Sequence, residues 1–245
     1  MVMEYVRKSW EAYKDNWMSF IVAELMALII TGIIALIGVG IIISSIGIST
    51  LMELYTSEEF VSRLVALLPL FGGLGLALIF FIVAGLVWVY LKTGLYGMAE
   101  QSLRGKTRVE TIFKVSSKLG FTGIITSIIV GIITFILAVI LIGGFAIVVQ
   151  ATGAIIGMII FLLILLFFSL TFPGIVVDKL GAIKTIDRSF KIVKKHYFKI
   201  FGLLLFYGVI GIAIALIPII GSLIVAFVIS PMMWISLVAF YKRNK

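Results

Sequence analysis

The chain reads as six long apolar blocks separated by short polar stretches, most of them basic. A block can cross a bilayer as a helix once about 20 consecutive residues are mostly apolar, because a helix pairs its own amides where no water can. Residues Phe20 to Ile43, Leu67 to Leu91, Leu119 to Ile142, Phe145 to Phe172, Ile200 to Ile217 and Ser222 to Tyr241 meet that length. The pattern predicts an all-α fold, a polytopic membrane helical bundle whose six transmembrane helices form three hairpins. Blocks three and four join around Gly143 and Gly144, and five and six around Pro218 to Gly221, so tight antiparallel turns are expected at both places. Blocks one and two are joined by Ser44 to Ala66, where Thr56 and Glu59 have capping-box spacing ahead of Phe60, Val61 and Leu64. A short surface helix is expected there, either a lid over a pathway or a connection reaching across the bundle.

The polar segments ahead of the hairpins are amphipathic. Met3, Val6, Trp10, Tyr13 and Trp17 are spaced 3, 4, 3, 4, and so are Ile183, Ile186, Phe190, Val193 and Tyr197. That spacing puts each set on one helical stripe. A shift of 180 lays Val6 to Ile37 on Ile186 to Ile217 without a gap, with Ser9 on Ser189 and Lys14 on Lys194. A shift of 77 lays Phe113 to Gly144 on Phe190 to Gly221, matching Phe113, Lys114, Lys118, Phe121, Gly131 and Gly144. One integral membrane domain, 1–245, is therefore expected to contain three units, about 1–92, 105–173 and 178–245. Each would be a cytoplasmic amphipathic helix followed by a hairpin. The middle copy departs from the others at Ser116 and Gly120, and a Thr107 to Glu110 capping box after Gly105 marks its start.

Charge then sets the orientation. Of the 20 Lys and Arg, all but Arg63 fall in the N-terminal tail, the two loops after blocks two and four, and the C-terminal tail. Short loops rich in Lys and Arg stay in the cytoplasm, so both termini are expected there, in a multi-pass protein of the cell (cytoplasmic or inner) membrane. Charges reach to Asp15, the first apolar block is too long for a signal peptide and no cleavage site follows it, so that block is expected to remain as an anchor. Only 13% of residues are charged, against about 25% in a soluble domain, which excludes a soluble enzyme. The +9 net charge does not imply nucleic acid, because apolar blocks separate the basic clusters.

Lys184, Arg188, Lys191, Lys194 and Lys195 leave the apolar stripe of their segment free. They are candidates for binding anionic lipid headgroups, with a solvated elbow that orients the next span as the alternative. Glu24 lies about seven residues past Trp17, roughly 10 Å below the interface. It is a candidate for proton or cation coupling, or for a structural ion pair or hydrogen bond, with Lys92 as the cation in reach. Gly153 and Gly157 form a GxxxG pair suited to close helix packing within or between subunits. Pro231 is expected to kink span six, Pro173 to end span four, and Pro69 to be harmless near the start of span two.

Zero cysteines and one histidine exclude disulfides, thiolate nucleophiles and Cys/His zinc sites. The chain holds no HExxH, GxxxxGK[ST] or GxSxG motif and no paired intramembrane aspartates, so neither an enzyme, a cofactor nor a metal is expected.

The stretch FPGIVVDKLGAIKTIDRSFKIVKKHYFKI, Phe172 to Ile200, is followed by a span, a Pro-x-x-Gly turn and SPMMW at Ser230 to Trp234. It resembles a broad group of prokaryotic polytopic membrane domains. These include the membrane domain attached to some glycerophosphodiester phosphodiesterases and related free-standing archaeal and bacterial proteins. Pro173, Asp178, Ala182, Ile183, Ser189 and Lys194 carry the likeness. It implies six spans with cytoplasmic amphipathic elbows and brings neither a substrate nor site residues, because the phosphodiesterase barrel is not in this chain.

The function expected is that of a non-enzymatic integral membrane protein, lipid-binding or lipid-organising, or the membrane subunit of a complex. The partners expected are membrane lipids with anionic headgroups, together with a second copy of the chain or a membrane partner. The alternative is a small-solute permease or ion-coupled transporter, on the strength of the parallel repeats, Glu24 and Pro231.

Overall fold

A computed structural model describes residues 2–55 and 60–245, and among these all regular structure is helical. In chain order the helices are α1 (Val2–Lys14), α2 (Trp17–Tyr55), α3 (Phe60–Ser102), α4 (Glu110–Ala138), α5 (Gly144–Leu165), α6 (Thr171–Asp178), α7 (Ala182–Ala215), α8 (Ile220–Ile224) and α9 (Ser230–Asn244). π-helical turns at Val139–Gly143 and Val225–Ile229 join α4 to α5 and α8 to α9. Six stretches are long and apolar enough to cross a membrane: Trp17–Ser49, Leu68–Ser102, Glu110–Ile147, Gln150–Asp178, Ala182–Ala215 and Ile220–Asn244. Their outer faces carry exposed Ile29, Leu36, Ile79, Phe121 and Phe135, an apolar surface far larger than a water-soluble protein displays. The chain is an integral membrane protein.

The contacts divide it into two units. Residues 25–88 form one, an antiparallel helix pair in which Gly73 meets the Ser45 hydroxyl and Gly38 lies against the carbonyl of Ala77. Here the helix runs past the expected loop start, unbroken to Tyr55, and resumes at Phe60. Ser44, Ser45 and Ser49 sit in it without cost, because each hydroxyl bonds a carbonyl one turn back, at 2.9, 2.7 and 2.9 Å. Thr56 and Glu59 lie outside the described residues.

Residues 1–24 and 89–245 form the second unit. Its second hairpin turns later than the glycines suggest. Gly143 and Gly144 hold helical angles, and the left-handed residue is Gln150, φ 56°. Glycine permits a turn without requiring one. Staying helical keeps the amides of the apolar run Phe145 to Val149 paired until a polar residue is reached. Gly157 consequently faces the carbonyl of Leu141 inside this chain, and Gly153 is buried.

Pro173 does not end span four. The helix breaks earlier, at Leu166–Phe168 and Leu170, and Pro173 stands in the first turn of α6, where its missing N–H leaves no partner wanting. The span runs on to Asp178 and stops at Lys179, in the left-handed region at φ 52°. The break around Pro231 is likewise taken up by the π turn Val225–Ile229, so that the proline opens α9. The Thr107–Glu110 capping box does not form. The Thr107 hydroxyl instead bonds the Gln101 amide oxygen at 3.0 Å, and no side chain caps α4.

Burial repeats along the chain. Tyr5, Ser9, Tyr13, Phe20 and Ala23 are buried, and so, 180 residues on, are Thr185, Ser189, Val193, Ile200 and Leu203. Ile112, Ser116, Gly123 and Thr126 occupy the same registers 77 residues before the last four. α7 has non-helical angles at His196, the position that follows Asn16 by 180, where α1 gives way to α2.

Gly157→Ala drives a methyl into the Leu141 carbonyl and is expected to destabilise by about 1–3 kcal/mol. At Gly131 a Cβ meets nothing within 4 Å, so Gly131→Ala is expected to be neutral or to stabilise by about 0.5–1 kcal/mol. Thermal unfolding in detergent distinguishes the two.

Candidate functional site

α1 and the first half of α7 each have two working faces. Outward point Met3 and Trp10 on the first elbow, with Trp17 following at the start of α2, and Ile183, Phe190 and Phe198 on the second, Phe198 being 84% exposed. Tyr13 and Val193, expected on this outer stripe, instead turn inward and are buried. A five-member stripe at 3, 4, 3, 4 spacing wraps far enough round a helix for one member to meet the bundle.

The inward face supplies hydrogen bonds where spanning helices break. The Tyr13 phenol donates to the Phe227 carbonyl at 2.9 Å. In an α-helix that carbonyl would accept from residue 231, which is a proline and has no N–H. Burial first, and then the nearby Glu24 carboxyl, raise the Tyr13 pKa above its ordinary value. In span four, Ser189 donates to the Phe167 carbonyl at 2.6 Å and accepts from the Leu170 amide at 3.3 Å, while Thr185 donates to the Thr171 carbonyl at 2.9 Å. Between α3 and α4, Asn16 accepts from the Thr107 amide at 2.6 Å and donates to the Gly105 carbonyl at 3.3 Å, and Ser19 donates to the Thr107 carbonyl at 3.0 Å. Ser9, Tyr207 and Ser236 form a buried hydroxyl chain with links of 2.8 Å.

Glu24 is 3% exposed, and its Oε2 has no hydrogen-bond partner among the described residues. The expected pairing with Lys92 is not made. The Lys92 ammonium lies 5.1 Å from the Phe172 ring centre, a cation–π contact that satisfies it away from the carboxyl.

The basic residues divide into engaged and unengaged sets. In the C-terminal tail, Lys242 pairs with Glu100 at 2.6 Å, Arg243 with Glu4 at 2.5 Å and Lys245 with Asp178 at 2.6 Å, so three helices each hold one cation of the tail. Of the five predicted headgroup ligands, Lys191 pairs with Asp187 at 2.6 Å, Arg188 stands beside Asp178 and Tyr241, and Lys184, Lys194 and Lys195 are exposed. None of these five lines the clefts described below.

Other cations do converge. The end of α3, the start of α4 and the end of α6 enclose a cleft of about 670 Å³. Arg104 and Lys106 come from the turn after α3, Lys114 and Lys118 from one face of α4, and Lys179 from the end of α6. Gly97 forms part of the floor, where an added Cβ would come within 2.6 Å of Val115. Glu100, the cleft's carboxylate, is held by Arg104 at 2.5 Å and by Lys242. The Gln101 amide oxygen accepts hydroxyls from Thr111 at 2.7 Å and Thr107 at 3.0 Å, which points its NH2 group elsewhere. From the sequence these lysines marked orientation and the repeat but not a site; the i, i+4 pair Lys114 and Lys118 beside Thr111 was the available signal.

No family model, no curated protein and no solved structure matches this chain. Among the described residues no group of three or more His, Cys, Asp or Glu is placed to hold a metal ion.

An ionised carboxylate without a cation or a second donor is costly at this depth. Glu24→Gln is therefore expected to leave the melting temperature in detergent within about 2 °C, and Glu24→Lys to lower it by roughly 4 °C or more. Asn16→Ala, which strips the Gly105–Thr107 turn of two bonds, is expected to destabilise by about 1–3 kcal/mol on the same assay.

Proposed function

We propose that this integral membrane protein is non-catalytic and binds and organises anionic lipid at the cytoplasmic face of the cell membrane, where both termini lie. The two-faced elbow helix carries this reading. Its inner face is fixed to the bundle by hydrogen bonds, which leaves an outer edge of Met3, Trp10 and Trp17, or Ile183, Phe190 and Phe198, exposed next to unpaired lysines. Such a helix lies in the headgroup plane with its apolar edge in the acyl boundary, and each adjacent Lys or Arg adds on the order of 1 kcal/mol at an anionic leaflet. The matching burial at the three registers supports a threefold plan, and the resemblance of Phe172 to Ile200 to prokaryotic membrane domains points to the same architecture.

A second reading, ion-coupled transport of a small solute, rests on one observation: the Glu24 oxygen buried without a partner. It requires that Glu24→Gln alter proton leak or solute uptake in proteoliposomes, and unaltered fluxes would remove it.

For the leading reading, the fluorescence of Trp10 and Trp17 is expected to be quenched by lipids brominated near the headgroup and far less by lipids brominated near the chain end. Replacing Lys184, Arg188, Lys191, Lys194 and Lys195 together by Gln is expected to lower the number of anionic lipids that co-purify with each chain. An unchanged number would count against the reading. Reporter fusions are expected to place residues 104–118 on the same side as Met1.

A further inference from the structure

We infer that the cleft between α3, α4 and α6 is a binding site for a phosphate oxyanion carried on a membrane lipid. This rests on the lipid-binding reading above and gives it a defined pocket.

The first argument is charge. Lys106, Lys114, Lys118 and Lys179 line one cleft, and none of them makes an ion pair with a described residue. The one carboxylate present, Glu100, is already neutralised by Arg104 and Lys242. Cations gathered around a shared cavity repel one another, and an anion seated between them reverses that energy. A neighbouring cavity of about 430 Å³ shares Gln101, Lys106, Thr111 and Lys114 and adds Arg108 and Glu110, so the cations continue past the rim and still outnumber the one carboxylate there.

The second argument is the backbone. Lys179 closes α6 in the left-handed conformation, at φ 52°, where glycine is the usual residue. A long cationic side chain placed where it strains the chain is accounted for by what that side chain reaches. Gln101 adds neutral donors: with its oxygen occupied by two hydroxyls, its NH2 group is the end that remains for an acceptor.

The third argument separates a lipid from a free ion. The cleft is far larger than a phosphate, and its wall includes Val115, Leu119 and Val176. On α4 the face that carries Lys114 and Lys118 continues, at helical spacing, into the exposed residues Phe121, Ile125 and Ile128. A headgroup phosphate among the lysines thus places an acyl chain along an apolar track one turn further down. A soluble phosphate has no use for that track.

The test uses the full chain in maltoside detergent, with lipid binding read by native mass spectrometry. The probes are dioleoylphosphatidylglycerol, dioleoylphosphatidylcholine and inorganic phosphate. The variants are Lys114→Gln with Lys118→Gln, Lys179→Gly, and, on the elbow outside the cleft, Lys194→Gln with Lys195→Gln. The first phosphatidylglycerol is expected to bind about ten-fold or more tighter than phosphatidylcholine, and to lose about ten-fold or more in each cleft variant. The elbow variant is expected to change it by less than about three-fold, and millimolar inorganic phosphate not to displace it. Lys179→Gly is the folding control, because it relieves the left-handed backbone. Its melting temperature should hold or rise while binding weakens. Unchanged phosphatidylglycerol affinity in both cleft variants would overturn the site. Loss in the elbow variant instead would overturn the site and leave the general lipid reading standing. If the wild type does not prefer phosphatidylglycerol, yet binds inorganic phosphate in a manner the cleft variants abolish, the oxyanion site stands and its lipid carrier is overturned along with that reading.

Discussion

A main-chain amide or carbonyl left without a partner in hydrocarbon costs several kcal/mol, and this chain breaks its spanning helices in places. The elbow helices resolve the conflict. Tyr13 serves the carbonyl that Pro231 strands, Ser189 and Thr185 serve the interruption around Leu166 to Thr171, and Asn16 and Ser19 serve the turn at Gly105 to Thr107. Tyr13, Thr185 and Ser189 lie on the side of their elbow opposite the exposed apolar edge, and Asn16 and Ser19 stand where α1 gives way to α2. The elbow is thus a splint on one face and an exposed apolar edge on the other, and the first role fixes the geometry of the second.

Charge follows a similar division. Glu4, Glu100 and Asp178, on three different helices, each engage one basic residue at the C-terminus. With those carboxylates committed, Lys106, Lys114 and Lys118, around the end of α3 and the start of α4, make no ion pair with a described residue. An acid-poor composition makes this partition unavoidable, since 20 basic residues face 11 acidic ones.

Much of the fold was legible in the apolar pattern, because hydrocarbon thickness dictates block length whatever else the sequence does. The ends of the blocks were not. Gly143 and Gly144 looked like a turn, yet permissive residues yield when continuing the helix keeps amides paired, and the chain turns at Gln150 instead. Ser44 to Tyr55 looked like a loop by polarity, but hydroxyls that bond one turn back are compatible with a helix. Pro231 does fall at a break, whereas the interruption in span four precedes Pro173 and the span runs on to Asp178, and the side chains that serve both breaks come from other helices. The candidate site was least legible. Glu24 was found from its isolation in an apolar block, whereas Arg104, Lys118 and Lys179 become neighbours only when three helix ends meet.

The first hairpin carries a further consequence. Its apolar stretch Trp17–Ser49 has 33 residues, about 50 Å of helix against a hydrocarbon layer of about 30 Å. Even a tilt of about 40°, the upper end of the usual range, leaves such a helix too long. The same holds for Glu110–Ile147, with 38 residues, and Ala182–Ala215, with 34, while span six, the shortest at 25 residues in Ile220–Asn244, still makes about 37 Å of helix. Helices of this length overrun the hydrocarbon, so that their ends stand in the headgroup layers or the adjoining bilayer swells to meet them, a hydrophobic mismatch that favours longer acyl chains.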